Sequence, residues 1–300
     1  MTLLSTHPRL IGLLYIFLSA TGFGAMPIFA RFAYADGVDL PSMLFLRFAL
    51  AGALMASIMF ARASHWPRGR NLWLLVAMGA LGYAGQAFCY FAALQYASAG
   101  LTALLLYLYP IIVTLLSALI SGRRLSHRRL LAVLAALAGT GLAVGGSLAG
   151  SLPGIILGIG AALIYSIYIL VGERVTKAEG AIASGTVVML SGGVVYGLLV
   201  LWRAPSWPAS YGGWIAVGSI ALLSTVLAIV GFFAAMQRLG AADAATFSTL
   251  EPIVTIVLAA LFLSEGIGAW QAVGGALILC AVIVLARSGE TEESTSAHPR

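Results

Sequence analysis

A glutamate followed by a proline, Glu251-Pro252, stands in an apolar stretch from 244 to 263 that holds no other charged residue. An ionisable side chain in such surroundings is expensive unless it is paired or protonated, so it is a candidate for function. Ser248, three residues earlier, and Thr255, four later, share its helical face. The carboxyl can bind a proton or the amino group of a solute. It can equally be a protonated group that is hydrogen-bonded within a bundle and acts only in packing. Pro252 cannot donate a backbone hydrogen bond and predicts a kink where the carboxyl sits. A second charge, Arg47, lies within the apolar stretch 41 to 60. Its guanidinium can take an anionic group such as a carboxylate. It can also snorkel to the membrane interface, or hydrogen-bond a neighbouring helix and pin the fold.

Aromatic hydroxyls form the third signal. Tyr83, Gln86 and Tyr90 follow a 0, 3, 7 spacing that makes one helical stripe, and Tyr165 and Tyr168 lie one turn apart. Tyr107 and Tyr109 stand just before Pro110. Against lipid these groups are poorly placed, whereas in an internal cavity they hold a small amphipathic solute by stacking and hydrogen bonding. The alternative is an interfacial belt or plain helix packing, which suits Tyr34, Tyr96 and Tyr211 at the ends of apolar stretches. Helix-weakening residues, Thr21-Gly22-Phe23-Gly24 and then Pro27, mark the first apolar stretch either as a moving, solute-contacting element or as a static kink. Gly22, Gly24, Pro27, Pro110 and Pro252 are the hinge candidates.

Other chemistry is missing from the sequence. His7, His65, His127 and His298 all fall in expected loops or tails, so no imidazole stands ready for a metal or a proton relay at membrane depth. No phosphate-cradling Gly-Lys loop occurs, and the Gly residues, including Gly154-x-x-x-Gly158, lie in apolar stretches where they let helices approach. No catalytic constellation, metal site or cofactor is expected. Cys89 and Cys280 read as packing residues.

The elements that must position these groups are membrane helices. The chain of 300 residues is 61% hydrophobic and 9% charged, with a mean hydropathy of +1.02. Ten spans are expected, roughly 10 to 31, 41 to 60, 72 to 93, 99 to 120, 128 to 147, 153 to 172, 181 to 202, 213 to 235, 244 to 263 and 268 to 287. With both termini inside, 13 of the 16 basic residues fall on the cytoplasmic side and only Arg31 and Arg203 on the other, with Arg47 within a span. The net charge of +6 is then a record of topology, not of nucleic-acid binding. A shift of 142 residues lays the chain on itself: 12 of the 30 residues from 91 to 120 are identical to their partners, including Phe91, Gln95 and Pro110 with Phe233, Gln237 and Pro252. Repeats of five spans must enter the membrane in opposite directions, so the halves, 1–147 and 153–287, are expected to be inverted, with a solute site near the midplane between them. The segment 288–300 is polar and acidic and is expected to be a disordered cytoplasmic tail. Arg9 precedes a first span that reads as an anchor without a cleavage site.

Three patterns make the chain resemble the EamA-type branch of the drug/metabolite transporter superfamily over nearly its whole length. They are Phe45-Leu46-Arg47-Phe48-Ala49, the run from Leu250-Glu251-Pro252 to Ser264-Glu265 and Gly274-Gly275, and the parallel stretch from Tyr109-Pro110 to Gly139. It departs from the family pattern at Thr21-Gly22, where Trp-Gly is usual, and at Arg123-Arg124, where an acidic residue usually closes the fourth span. The resemblance implies an all-α polytopic protein of ten helices in two inverted five-helix halves, with cytoplasmic termini, in a bacterial inner membrane. It implies alternating-access transport of a small solute without a cofactor, by a monomer or homodimer. The tyrosine-rich interior is similar in character to that of aromatic amino-acid exporters. A proton-driven drug exporter and a carrier of sugars or nucleosides are the alternatives, and a membrane-embedded enzyme or sensor is a remote one.

Overall fold

A computed structural model describes residues 8–62, 64–121, 127–145, 150–239, 247–248 and 250–296. Helices account for all ten expected spans. The first is Pro8–Ala35 and the second Leu40–Ala61. The third is built from Gly69–Ala77, a π-helical segment Met78–Tyr83 and Ala84–Ala93. The fourth comes in two pieces, Ala99–Leu106 and Tyr109–Ser121, and the fifth is His127–Gly145. The sixth is Leu152–Glu179 and the seventh Ala181–Trp202. The eighth repeats the design of the third, with Tyr211–Ala221, a π segment Leu222–Leu227 and Ala228–Leu239. The ninth is described as helix over Leu250–Leu263 and the tenth over Ala269–Ser296.

Packing follows the inverted duplication. The first span lies against the eighth and ninth, and its repeat partner, the sixth, lies against the third and fourth. The second packs on the seventh and the fifth on the tenth. Each half therefore buries its core against the other half. The main apolar cluster joins Phe48 and Met55 of the second span, Phe91 of the third and Met189 and Tyr196 of the seventh. Large apolar side chains such as Leu81, Leu119, Leu198 and Leu201 face outward, as a surface solvated by lipid requires.

Small residues set the helix approaches. A Cβ on Gly154 would meet the backbone of Tyr96 at 2.9 Å, and one on Gly158 would meet the Leu105 side chain at 2.7 Å. The Gly-x-x-x-Gly pair thus seats the sixth span within the chain. Gly139 of the fifth span faces the Gly274 carbonyl, 2.7 Å from a hypothetical Cβ, whereas Gly141 has nothing within 4 Å. Gly139→Ala is therefore expected to cost about 1–3 kcal/mol by overpacking. Gly141→Ala should be neutral or stabilising by up to about 1 kcal/mol. Thermal unfolding of the two variants in detergent checks the contrast.

Two expectations need correction. The first span is one unbroken helix through Thr21 and Pro27. Its glycines serve contact instead, since a Cβ on Gly22 would lie 2.8 Å from the Leu223 carbonyl oxygen and one on Gly24 2.8 Å from that of Glu251. In the ninth span residues 247–248 are helical as well as Leu250–Leu263, so Pro252 lies inside the span. The tenth helix continues to Ser296, past the point where an irregular tail was expected, and this stretch carries the helix-compatible Glu290, Glu292 and Glu293. Asp243, Arg123 and Arg124 lie outside the described residues.

The face opposite the termini is closed by polar contacts that cross between the halves. Ser264 adopts a left-handed φ of 54°, and the Glu265 amide reaches back to the Ala259 carbonyl, closing the ninth helix. This turn aims Glu265 at the start of the fourth span, where its carboxylate accepts from the amides of Ala99 at 3.0 Å and Gly100 at 3.5 Å. Arg31, at the end of the first span, lies 3.6 Å from the same carboxylate and donates to the Ala97 carbonyl. In the opposite sense, Asp36 of the first half accepts from the Ser210 amide at 3.0 Å at the start of the eighth span. Hydrogen bonds from Ser210 hold the Asp36 carboxyl below the usual range. Each half thus supplies one carboxylate to a helix N-terminus of the other, where the helix dipole favours it.

Candidate functional site

The groups singled out from the sequence converge where the halves meet. Glu251 enters from the ninth span, and Tyr109, its partner under the 142-residue shift, from the first residue of the restarted fourth helix. The fourth helix resumes just ahead of Pro110, whose fixed φ suits that position. The break at Tyr107 and Leu108 leaves Tyr107 buried and aimed across the interface. Its hydroxyl donates to the Ser248 carbonyl, with the Glu251 side chain beside it. Thr255, one turn on, donates to the Gly24 carbonyl at 2.8 Å and so ties the ninth span to the first.

From Tyr107 the aromatic rings run in an unbroken ladder. Tyr107 meets Tyr109 at 5.9 Å between centroids, Tyr109 meets Tyr165 at 5.0 Å, Tyr165 stacks on Tyr168 at 5.9 Å, and Tyr168 meets Tyr83 at 5.6 Å. These separations are those of favourable edge and offset contacts. Tyr83, Tyr109, Tyr165 and Tyr168 are half-buried although they lie deep in their spans. Gln86 and Tyr90 are buried, and Tyr90 turns its ring to Phe91, apart from the ladder. The expected stripe of Tyr83, Gln86 and Tyr90 is thus split: its first member lines the ladder and the other two pack.

Arg47 closes the far end. It is 2% exposed, donates from Nε to the Thr225 hydroxyl at 3.1 Å and from a terminal nitrogen to the Tyr83 hydroxyl at 3.0 Å. The rings of Phe91, Phe48 and Tyr83 surround its guanidinium at 5.2, 5.5 and 5.7 Å. It does not snorkel. Thr225 is a residue that the sequence reading missed, yet the 142-residue shift carries Tyr83 onto it. Arg47 therefore holds symmetry-related positions of the two halves, each within a π segment. Thr225 in turn donates to the Ile220 carbonyl, five residues back, a group freed by the widened turn. Both charges, Glu251 and Arg47, lie near the Tyr90 hydroxyl. Tyr34 departs from the expected interfacial belt, since its hydroxyl donates inward to the Phe91 carbonyl at 2.8 Å.

Ten apolar helices in two inverted halves around an internal polar seam define a polytopic membrane transporter. The model of the EamA-like transporter family matches residues 10–145 and again 152–287, and the chain belongs to that family. It is 28% identical over 278 residues to the uncharacterized transporter YcbK of Bacillus subtilis, covering 88% of both chains. It is 27% identical over 275 residues to the aromatic amino acid exporter YddG of Ancylobacter novellus, covering 88% of this chain and 93% of that one. A crystal structure with 24% sequence identity superimposes with a TM-score of 0.63, covering 95% of this chain and 99% of the other, and supports the fold alone.

Proposed function

We propose that this protein exports small metabolites, chiefly amino acids including aromatic ones, across a bacterial inner membrane by alternating access. The termini and the basic loops face the cytoplasm. The observation that carries the reading is the tyrosine ladder, with Glu251 at one end and Arg47 at the other. An aromatic side chain stacks on such rings, and an ammonium group suits a carboxylate beside them. The likeness to a relative named as an aromatic amino acid exporter points the same way.

Coupling follows from proton counting at Tyr107. A phenol has one proton to donate. When Glu251 is ionised it competes for that proton. When Glu251 is protonated it can donate to the phenol oxygen, and Tyr107 is free to donate to the Ser248 carbonyl. Protonation of Glu251 thus strengthens a bond between the fourth and ninth spans, one from each half.

Counterflow of a labelled amino-acid panel into proteoliposomes, with and without a pH gradient, tests the reading. Uptake of Phe, Tyr or Trp above protein-free liposomes is expected. Folded protein that moves none of them, but protects an exporter-deficient strain against cationic dyes, would instead support a proton-driven drug exporter.

A further inference from the structure

We infer that Arg47 is the anchor for a carboxylate on the transported solute, and that the Tyr83 hydroxyl holds that position until the solute arrives. The inference rests on the amino-acid reading above and deepens it. Among the described residues no carboxylate lies within ion-pair distance of Arg47, whose hydrogen-bond partners are the neutral hydroxyls of Thr225 and Tyr83. A guanidinium enclosed by Phe48, Phe91 and Tyr83 at membrane depth without a counter-ion bears a large desolvation cost that rings and hydroxyls offset only in part. An arriving anion supplies the missing charge.

The chemistry narrows that anion. A planar guanidinium matches a carboxylate fork or a phosphate. Arg47 is the one basic residue away from the ends of the spans expected from the sequence, so no second cation is at hand at that depth for a phosphate dianion. Glu251, at the other end of the tyrosine ladder, repels a dianion and attracts an ammonium group. A monoanionic carboxylate joined to an ammonium satisfies both charges at once. Tyr83 is only half-buried, so its hydroxyl can yield to a carboxylate oxygen by a side-chain rotation.

Binding to detergent-purified protein, followed by titration calorimetry, separates this role from a merely structural one. The probes are phenylalanine and phenylalaninamide, which keeps the ring and the ammonium but lacks the carboxylate. Wild-type protein is expected to prefer phenylalanine by about tenfold or more, the worth of one charge-assisted pair. In Arg47→Gln the preference should collapse to about one, with the affinity for the amide held within roughly threefold. If Arg47→Gln does not survive purification, Arg47→Lys takes its place: it keeps the charge but loses the fork, and the preference should fall by roughly three- to tenfold. Folded Arg47→Gln that still prefers the acid overturns the inference and leaves the amino-acid reading standing, as does wild-type protein that binds the amide as tightly as the acid. Wild-type protein that binds neither overturns the amino-acid reading and the inference with it.

Discussion

Replacement of Glu251 by Gln is expected to remove the stimulation of transport by a pH gradient, bringing the ratio of initial rates with and without the gradient to about one, and to slow net export by about tenfold or more, the effect of losing roughly 1.4 kcal/mol of charge-dependent driving. Glutamine fills the same space and keeps a hydrogen-bond donor and acceptor, so the bundle around Tyr107 should stay intact. Exchange of solute for solute, which needs no net proton movement, should survive in this variant at saturating solute, with a raised KM because the solute's ammonium loses its carboxylate partner. Tyr107→Phe probes the same linkage from the other side. It leaves the carboxyl in place but removes the phenol that joins Glu251 to the Ser248 carbonyl, so a proton can still bind while its effect on the fourth and ninth spans is weakened. The expected result is retained exchange with a reduced response to the gradient. Measurement in proteoliposomes at fixed solute concentration decides it. An unchanged gradient response in Glu251→Gln would remove the carboxyl from the coupling step.

The second large effect is expected at the face opposite the termini, which the proposed topology puts outside the cell. Loss of the reciprocal caps, in the double variant Asp36→Asn with Glu265→Gln, should shift the carrier toward a state open on that side. A carboxylate at a helix N-terminus is worth about 0.5–2 kcal/mol, so loss of the partly buried Glu265 alone should raise the open population by roughly two- to thirtyfold. The exposed Asp36 adds a smaller, salt-sensitive share. A reporter cysteine in place of Ala97, in a background without Cys89 and Cys280, measures this as the rate of maleimide labelling from outside. Ala97 is buried but borders a cleft with Arg31, Tyr96, Ser98, Ser151 and Glu265, so opening there exposes it. A labelling rate unaffected by both substitutions would mean that the caps stabilise the fold without gating it.

Much of this was legible in the sequence because a membrane allows so few solutions. Length and hydropathy mark the ten spans, and a shift of 142 residues pairs Pro110 with Pro252 and Tyr109 with Glu251, which lie on the corresponding fourth and ninth spans. The candidate tyrosines fared unevenly for a physical reason. Helical spacing says which side chains share a face, as it does for Tyr165 and Tyr168, but not which neighbour that face meets. Tyr90 follows the same spacing as Tyr83 and is packed away against Phe91. Glycine and proline misled in the first span because the residues that weaken an isolated helix are also those that let two helices touch, and contact with the eighth and ninth spans holds Gly22 and Gly24 helical. Thr225 and the π segments were invisible to periodicity, since one extra residue in a turn leaves no compositional mark. Asp36 and Glu265 were hidden for a different reason: they cap helices 174 and 166 residues away.

The paired π segments bear on how such a molecule can move at all. A lipid-exposed helix cannot unwind, because its amides and carbonyls would find no other partners. A π turn is a dislocation in the helical lattice, a single surplus residue that the hydrogen-bond ladder can pass along by exchanging one bond at a time. Each step of that glide turns the helix on one side of the defect by about 100° relative to the other. Met78–Tyr83 and Leu222–Leu227 put one such dislocation in each half, beside the two hydroxyls that hold Arg47. Gliding either one swings Tyr83 or Thr225 off the guanidinium while its span remains fully bonded, so the interior can be re-faced without the membrane meeting a broken helix.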